Sequence, residues 1–372
     1  MERLGDIATY INGYAFKPAD WSSDGIPIIR IQDLTGNSYQ ANRFKGDYDA
    51  KYEVNCGDVL ISWSASLGVY VWMGEKAVLN QHIFKVRFDK TEVDKDFFVH
   101  QVERILNNAS VEAHGATMKH LTKPVFDALP FYLPNIEEQK KIANELNKVS
   151  NLISLRKQQL SKLDELVKSR FIELFGDPEQ NPNGYPIKDF DEISVLITDG
   201  EHATPRRTEK GIYLLSARNV LNHALQLDDV DYIDEDEYAR IARRVVPQAG
   251  DILISCSGSI GRCCVVPDGL QFQMVRSAAL IRFDDTINPV FAEWLITSDE
   301  LQRQIAQSAT QSSQANLFQG KIRKLHGYVP PMELQQQFAA FVEQTDKSKL
   351  EIQKSLEKLE TLKKALMQKY FG

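Results

Sequence analysis

The sequence has few cysteines and no long apolar run, and each of these features excludes a class of protein. Its four cysteines, Cys56, Cys256, Cys263 and Cys264, form no CxxC pair and have no histidine at zinc-finger spacing. We therefore expect buried free thiols and neither disulfides nor a zinc site. No stretch approaches the roughly 18 apolar residues that span a bilayer, and the N-terminus lacks the basic and apolar regions of a signal peptide. These absences predict a cytoplasmic protein with no membrane partner.

The chain also lacks the common enzyme motifs. Gly320-Lys321 has no upstream glycine at P-loop spacing, and residues 258–261 lack the first glycine pair of a Rossmann fingerprint. The seven histidines form no HExxH motif and no pair that recurs along the chain. A nuclease centred on Asp58 and Asp251 is the weakest hypothesis, because no second carboxylate, lysine or histidine recurs beside them. The sequence predicts a binding protein with no catalytic residue, no metal ligand and no cofactor of its own.

A net positive charge is missing as well. The formal net charge is −7 over 372 residues, whereas nucleic-acid-binding domains usually carry a basic patch. A DNA-binding surface on this chain must therefore come from local clusters of basic and amide side chains. The run 228–237 carries seven acidic residues, and we expect it to face away from any DNA.

What the sequence does have is an internal repeat. Residues 57–68 (GDVLISWSASLG) recur as 250–261 (GDILISCSGSIG), and Leu174-Phe-Gly recurs as Tyr370-Phe-Gly at the end of the chain. The offset between the copies drifts through the first part of each half and is constant through the last third, where Pro134 and Gln139 match Pro330 and Gln335. A period this long is far beyond that of a solenoid. The repeat predicts two similar domains, each followed by the same rigid appendage.

Each half begins with short strand-like runs and ends with a long helix. Aliphatic runs such as 26–31 and 59–62 are bounded by Gly, Asp or Asn, and helical patches follow them, which predicts an α+β domain. Asn135 is a suitable N-cap with Glu138 three residues later, and a helix from there to Phe175 would be about 60 Å long. The predicted segments are a first domain at 1–134, a helix at 135–176, a linker at 177–188, a second domain at 189–331 and a helix at 332–372.

Apolar residues recur every seven positions along both long helices, on two tracks. Such heptads call for a helical partner packed along the seam. Several polar positions of one copy align with apolar positions of the other, as Arg156 does with Ile352 and Lys349 with Ile153. This alternation favours pairing of the two helices with each other. The predicted seam residues are Leu146, Ile153, Leu160, Leu163, Val167, Ile352, Leu356, Leu359 and Leu366.

Candidate binding residues are polar side chains that follow the predicted strands. Serines after the repeated strand suit phosphate or base contacts, but serine-rich turns are also simply turns, and both interpretations stay open. Arginine, asparagine and glutamine are the side chains that reach guanine and adenine bidentately, although solvated surface charge is the alternative at each position. The first half offers Lys17, Arg30, Gln32, Ser62, Trp63, Ser64, Thr117, Lys119 and His120. The second half offers His202, Thr204, Arg206, Arg207, Arg218, Asn219, Ser257, Ser259, Arg262, Gln311 and Gln314.

The combination of these features resembles the specificity subunit of a type I restriction-modification system. The resemblance rests on residues 129–142 (LPFYLPNIEEQKKI), the strand motif at 57–62, the junction at 174–177 and residues 199–205 (DGEHATP), and it covers the whole chain. It implies an α+β fold with two target-recognition domains separated by two antiparallel coiled-coil helices, in a pseudo-two-fold repeat. Each domain would read one half of a bipartite site in double-stranded DNA.

The resemblance also implies partners that carry the catalysis. Two methyltransferase subunits would bring S-adenosylmethionine and modify adenine, and restriction subunits would bring ATP and Mg. The helices would dock the methyltransferase subunits and set the spacer of the DNA site. Because the chain is acidic, we expect weak DNA binding by this subunit alone. Leu4-Gly5-Asp6 matches the segment after the linker, so we expect the chain to be complete. The alternative is a coiled-coil scaffold or adaptor that binds proteins or RNA without reading DNA.

Overall fold

The protein folds into two compact units, each built from the α+β part of one repeat copy and from segments of both long helices. The computed structural model describes residues 1–36, 42–112, 122–309 and 316–372. Unit 1 comprises Met1–Gln158 and Gln353–Gly372, and unit 2 comprises Gln159–Ile352. Within the described ranges, every helix is too short or too polar to cross a membrane.

Unit 1 is an α+β domain. Its strands are β1 (Glu2–Arg3), β2 (Thr9–Asn12), β3 (Ile26–Ile29), β4 (Arg43–Phe44), β5 (Glu53–Val54), β6 (Val59–Ser62), β7 (Gly68–Val71), β8 (Ala77–Leu79), β9 (Ile83–Arg87) and β10 (Pro130–Phe131). Its helices are α1 (Leu4–Ile7), α2 (Ile31–Leu34), α3 (Lys95–Glu112), α4 (Lys123–Asp127) and the first part of the long helix α5 (Ile136–Phe175). One sheet has the strand order β2-β9-β6-β7 and another the order β4-β3-β8-β5.

Unit 2 repeats this plan. Its strands are β11 (Ile187–Asp189), β12 (Ser194–Asp199), β13 (Ile212–Leu215), β14 (Val220–Leu221), β15 (Ala224–Leu225), β16 (Asp231–Ile233), β17 (Ile252–Ser255), β18 (Cys263–Val265), β19 (Phe272–Met274), β20 (Ala278–Phe283) and β21 (His326–Tyr328). Its helices are α6 (Glu235–Ala242), α7 (Pro289–Ile296), α8 (Asp299–Ala309), α9 (Gln319–Ile322) and the first part of α10 (Met332–Phe371). The sheet order β12-β20-β17-β18 matches β2-β9-β6-β7, and β16-β13-β19 matches β4-β3-β8 without a counterpart of β5, so the predicted repeat and fold class are confirmed.

The repeated glycine-aspartate motif builds the central strand of each unit. β6 and β17 are buried along their whole length, which explains their continuous aliphatic sequence. Before each strand lies a turn whose glycine has a positive φ, 91° at Gly57 and 87° at Gly250. The aspartates that follow accept a backbone hydrogen bond inside the turn, Asp58 from Asn55 at 2.9 Å and Asp251 from Gln248 at 2.7 Å. The most recognisable motif of the sequence is thus architectural.

A buried glutamine at the start of each long helix ties that helix to its own domain. The side-chain oxygen of Gln139 accepts from the amide of Asp94 at 2.9 Å, and that of Gln335 accepts from the amide of Asn288 at 2.7 Å. The side-chain nitrogen of each glutamine also donates to the carbonyl of the proline five residues before it, Gln139 to Pro134 and Gln335 to Pro330, both at 2.8 Å. With exposures of 1% and 0%, these glutamines explain why the matched Pro and Gln positions recur.

The two long helices pair in opposite directions within each unit. In unit 1 the beginning of α5 meets the end of α10, where Leu146 and Met367 share a core and Lys157 pairs with Glu360 at 3.3 Å. In unit 2 the end of α5 meets the beginning of α10, where the rings of Phe171 and Phe338 lie 5.4 Å apart. Antiparallel pairing along an apolar seam is therefore confirmed.

Burial along the seam follows the predicted heptads unevenly. Leu146 and Val167 are fully buried at 0% exposure. The other predicted seam residues are half-buried, namely Ile153, Leu160, Leu163, Ile352, Leu356, Leu359 and Leu366. The two buried positions lie where α5 also packs against the sheets and helices of a domain, whereas the residues between them have mainly a helical neighbour.

Candidate nucleic-acid interface

The repeated serines are part of the turns they sit in. Ser62 is fully buried and its hydroxyl donates to the carbonyl of Ser66, and Ser255 repeats this bond to Ser259 at 2.6 Å. Ser64 is also buried, at 6% exposure. The contact role predicted for Ser62 is therefore wrong for this conformation, because its only donor is used within the turn. Ser257 is half-buried and Ser259 is exposed, so these two remain accessible.

Asn219 has a structural role as well. It is fully buried, its oxygen accepts from the amide of Ser216 at 2.9 Å, and its amide nitrogen donates to the carbonyls of Gln226 and Asp229, each at 2.9 Å. Its hydrogen bonds are directed into the protein, so it is not available to a ligand. Asp33 performs the first of these tasks in unit 1, where it accepts from the amide of Arg30 at 2.8 Å.

Two of the predicted residues in unit 1, Arg30 and Gln32, line one pocket. The pocket encloses about 260 Å³ and is open to solvent on one side. The Arg30 guanidinium lies 5.1 Å from the centre of the Trp21 ring, a cation–π distance that holds it at the pocket wall. The remaining lining residues are Phe16, Ile31, Asn80, Gln81 and His82, and the sequence analysis did not single out any of them or Trp21.

Trp63 and Lys17 stand outside that lining. The Trp63 ring stacks on Phe84 at 5.8 Å and lies 5.4 Å from the ring of His82, and its Nε1 donates to Asn12 at 3.2 Å. The Trp63 ring therefore contacts the ring of His82, which lines the pocket. Lys17 is exposed. Thr117, Lys119 and His120, together with Gln311 and Gln314 of the second half, lie outside the described residues.

In unit 2 the predicted arginines are paired with carboxylates. Arg207 and Arg218 both bind Asp231, at 3.0 and 3.1 Å, and Arg218 also lies 3.6 Å from Asp229. About half of each arginine side chain stays exposed, 46% and 48% respectively. The expectation that the acidic run 228–237 faces away from any DNA stays a prediction. The run lies beside these arginines and supplies their partners.

Glu237 is the buried centre of a second arginine cluster. Its carboxylate accepts from Arg240 at 2.8 Å and from Arg206 at 3.2 Å. These hydrogen bonds, the Arg240 bond first, lower the pKa of Glu237 from 4.5 to about 2. Glu237 is 3% exposed, whereas Arg206 keeps 67% of its side chain in solvent. A buried carboxylate therefore holds an exposed arginine in place.

Asp199 anchors a third group. His202 contacts one carboxylate oxygen at 2.6 Å and Arg244 contacts the other at 2.5 Å. Thr204, in the same loop, is exposed, and Arg262 is half-buried beside the turn of the repeated strand. Asp199, Asp231 and Glu237 thus hold one histidine and five arginines in defined positions, namely His202, Arg206, Arg207, Arg218, Arg240 and Arg244.

Some alternatives raised by the sequence find no support in this geometry. Asp251 is 2% exposed and holds Arg282 bidentately, with both distances 2.7 Å, so it is a structural acceptor and not a nuclease centre. Across the described ranges no three His, Cys, Asp or Glu side chains cluster as metal ligands. Of the free cysteines, Cys256, Cys263 and Cys264 are buried as predicted, and burial raises the pKa of Cys256 and Cys264 to about 12. Cys56 is exposed, which corrects the expectation for that residue.

The backbone that carries these side chains is the same in both units. The amide of Asn80 donates to the carbonyl of Ile29 at 3.1 Å, and that of Val275 donates to Leu215 at 3.0 Å. The further matching donor–acceptor pairs are Ile83–Asn80 and Ala278–Val275, Gly13–Ile83 and Gly200–Ala278, Tyr14–Leu79 and Glu201–Met274, and Trp63–His82 and Cys256–Ser277. These bonds align the polar turns of the two units residue by residue.

A family model also matches both halves of the chain. The model is described as the type I restriction modification DNA specificity domain, and it matches residues 1–165 and 207–364. The chain is 23% identical over 403 aligned positions to the type I restriction enzyme EcoBI specificity subunit of Escherichia coli, covering 99% of this chain and 84% of the relative. It is 22% identical to the MjaVIII specificity subunit of Methanocaldococcus jannaschii, covering 98% and 90%.

Solved structures share the fold. The S subunit of a type I restriction-modification system from M. genitalium superposes with a TM-score of 0.61 at 14% identity, covering all of this chain and 95% of the other. A chain from a type I R-M system, solved in a study of complex assembly and conformational transition, gives a TM-score of 0.55 at 15% identity, covering 99% and 96%. At such identities the likeness concerns the fold alone.

Proposed function

The chain belongs to the type I restriction modification DNA specificity domain family, and we propose that it reads a two-part DNA site with one unit per half. The observation that supports the proposal is the set of backbone hydrogen bonds that recurs in both units. Two units share a set of backbone hydrogen bonds, yet they present different polar side chains on it. A subunit that reads two different half-sites needs a constant support and variable contacts.

The surroundings of the candidate contacts differ between the units in a way that supports this role. Unit 1 offers amides, an arginine and a histidine around an open pocket. Unit 2 offers arginines held by carboxylates. Amide and guanidinium groups are the usual readers of base edges in the major groove. The specificity role itself is non-catalytic, and we assign DNA modification and cleavage to partner subunits.

The long helices supply a surface for those partners. Several large aliphatic side chains on α5 and α10 point to solvent, with exposures of 44–54%, and these are Leu152, Leu155, Leu166, Leu350 and Leu362. Exposed aliphatic side chains on long helices suit docking of a protein. We assign this surface to methyltransferase subunits, which would carry S-adenosylmethionine, whereas ATP and Mg would act in the restriction subunits. Helix length would then set the spacer between the half-sites.

The test is to co-express the chain with the methyltransferase subunit encoded beside it and to map modified adenines across the host genome. A gapped motif with two defined halves is the expected result. A stable complex that modifies adenines without sequence preference, or that modifies none, would contradict the proposal. The methyltransferase subunit expressed alone is the control, and it should leave no motif.

A further inference from the structure

We propose that the pocket of unit 1 reads base edges of duplex DNA, with Gln81 and His82 as specificity-determining residues, and that Arg276 occupies the corresponding place in unit 2. The inference rests on the proposed function and names the residues that carry it out. Arg30, Gln32 and Arg218 are among the candidates predicted from the sequence, whereas Gln81, His82 and Arg276 are not.

Two turns meet at this place in each unit. One turn follows β3 or β13, and the other connects β8 to β9 or β19 to β20. A glycine lets the chain pass close to the second turn, since a Cβ at Gly13 would lie 2.1 Å from the carbonyl oxygen of Asn80, and one at Gly200 would lie 2.4 Å from that of Met274. Such contacts admit no other residue without a backbone shift. The juxtaposition of the two turns is thus built into both halves.

The matched positions are polar in both units but differ in identity. The shared backbone bonds pair Arg30 with Ser216 and Gln32 with Arg218 on the first turn. They pair Gln81 with Arg276 and His82 with Ser277 on the second. A position that reads a base must change when the base does, and polar residues of different identity at matched places meet that requirement.

Gln81 and His82 have unused hydrogen-bonding capacity. Gln81 Oε1 and His82 Nδ1 are shielded from solvent, and neither has a hydrogen-bond partner among the described residues. Buried polar atoms without partners are rare in folded proteins. Both residues line the open pocket, so a rotation of the Gln81 amide would turn its oxygen toward a ligand there. The unpartnered atoms mark side chains that gain hydrogen bonds when the pocket is filled.

The chemistry of the lining fits base edges. Amides supply a donor and an acceptor together, as adenine requires, and the guanidinium of Arg30 supplies donors for guanine. Trp21 and Phe16 add apolar surface, which suits a thymine methyl group. The lining residues include one formal positive charge and no carboxylate, so the approach of DNA is not opposed there.

In unit 2 the corresponding serine is used within the protein. Ser277 Oγ accepts from the amide of Ala217 at 3.1 Å, which ties the two turns together. Arg276 beside it is exposed, and its side chain makes no hydrogen bond or ion pair with any residue that the structure describes. It therefore differs from Arg207 and Arg218, which are held by Asp231. An exposed arginine without a partner among the described residues has its guanidinium available for guanine.

The experiment uses the complex of this chain with its methyltransferase subunit. Gln81→Glu keeps the size of the side chain and removes its donors, and Arg276→Ala removes an exposed side chain. We expect each variant to change the preference at one or two base pairs by roughly 10- to 100-fold, in opposite halves of the motif. The readouts are genome-wide mapping of modified adenines and methylation rates on oligonucleotides that carry single base-pair changes.

Two matched controls make the same chemical changes elsewhere. Gln180→Glu lies in the exposed linker, and Arg303→Ala removes an arginine of similar exposure that pairs with Glu179 and Glu300. Both should leave the motif unchanged. Thermal unfolding checks that each variant is folded, and if Gln81→Glu disturbs the fold, Arg276→Ala decides alone.

The outcomes separate the inference from the proposed function. If the wild-type complex gives a two-part motif and Gln81→Glu and Arg276→Ala leave it intact, the inference is overturned and the proposed function stands. If both variants alter the same half, the assignment of one turn pair to each half is wrong. If the wild-type complex shows no sequence preference, both proposals fail together.

Discussion

The two units hold their polar groups differently on one backbone plan. In unit 1 the matched turns border an open pocket, and two polar atoms of its lining residues have no hydrogen-bond partner among the described residues. In unit 2 Asp199, Asp231 and Glu237 bind several arginines, whereas Arg276 at the matched turn is exposed. The two units thus share their backbone hydrogen bonds but differ in the charged groups around the matched turns. A ligand in the unit 1 pocket meets no carboxylate in the lining, whereas in unit 2 it competes with carboxylates for Arg207 and Arg218.

The largest difference in stability loss between matched positions is expected for substitution of the two turn aspartates, Asp251 and Asp58. Asp251→Ala removes a buried carboxylate that accepts two hydrogen bonds from the half-buried Arg282, and should destabilise the protein by about 3 kcal/mol. The Asp58 side chain is 28% exposed and pairs with Lys85 at 3.2 Å. Asp58→Ala removes this ion pair and should destabilise the protein by about 1 kcal/mol. Urea unfolding of the two variants measures both values. Equal losses would contradict the view that unit 2 buries its charges more deeply.

Arg218→Ala should impair recognition by unit 2 alone. Loss of a bidentate base contact costs about 1–3 kcal/mol of discrimination, so the second half of the motif should become degenerate while the first half is kept. Mapping of modified adenines in the presence of the methyltransferase subunit gives the result. Arg303→Ala, with 45% exposure against 48%, is the matched control. A change in both halves would mean that Arg218 supports the fold or the complex instead.

Much of the fold could be predicted from the sequence because it depends on local pattern. The heptads of α5 and α10, the turn signals before β6 and β17, and the matched Pro134 and Gln139 all act within a few residues. These signals survive in a single sequence. They were enough to predict an α+β repeat with paired helices.

The candidate site was predicted less well, because its partners are distant in sequence. Asp231 lies 24 residues from Arg207 and 13 from Arg218. No pattern in the sequence predicts that this acidic run packs beside those arginines. Gln81 and His82 occur in a turn without a composition signal. A comparison of the copies at an offset of 195, where Gln81 meets Arg276, could have found them. The buried Ser62 and Asn219 show the opposite error, since side chains that suit DNA also suit turns.

Acid should affect unit 2 through Glu237. Its pKa is depressed from 4.5 to about 2, so its carboxylate adds stability that is present above pH 4.5 and is lost as the pH falls toward 2. Glu237→Gln should lower stability at neutral pH by about 1–2 kcal/mol, because charged hydrogen bonds become neutral ones. It should also flatten the dependence of stability on pH in this window. Urea unfolding at a series of pH values provides the measurement, with Glu235→Gln, an exposed neighbour, as control.

The smallest effect tests whether carboxylates in unit 2 restrain its arginines. Asp231→Asn would remove from Arg207 and Arg218 one surface ion pair each, worth about 0.2–1 kcal/mol, and would leave Arg218 only its longer contact with Asp229. DNA binding by the methyltransferase complex should therefore tighten a few-fold, and its salt dependence should become steeper because more cations are available to phosphates. Titrations of labelled duplex at several salt concentrations measure both quantities. Asp268→Asn, at an exposed position after β18, removes one negative charge without releasing an arginine. An equal gain in that control would attribute the effect to net charge, whereas weaker binding by Asp231→Asn would show that Asp231 positions the arginines for DNA instead of competing with it.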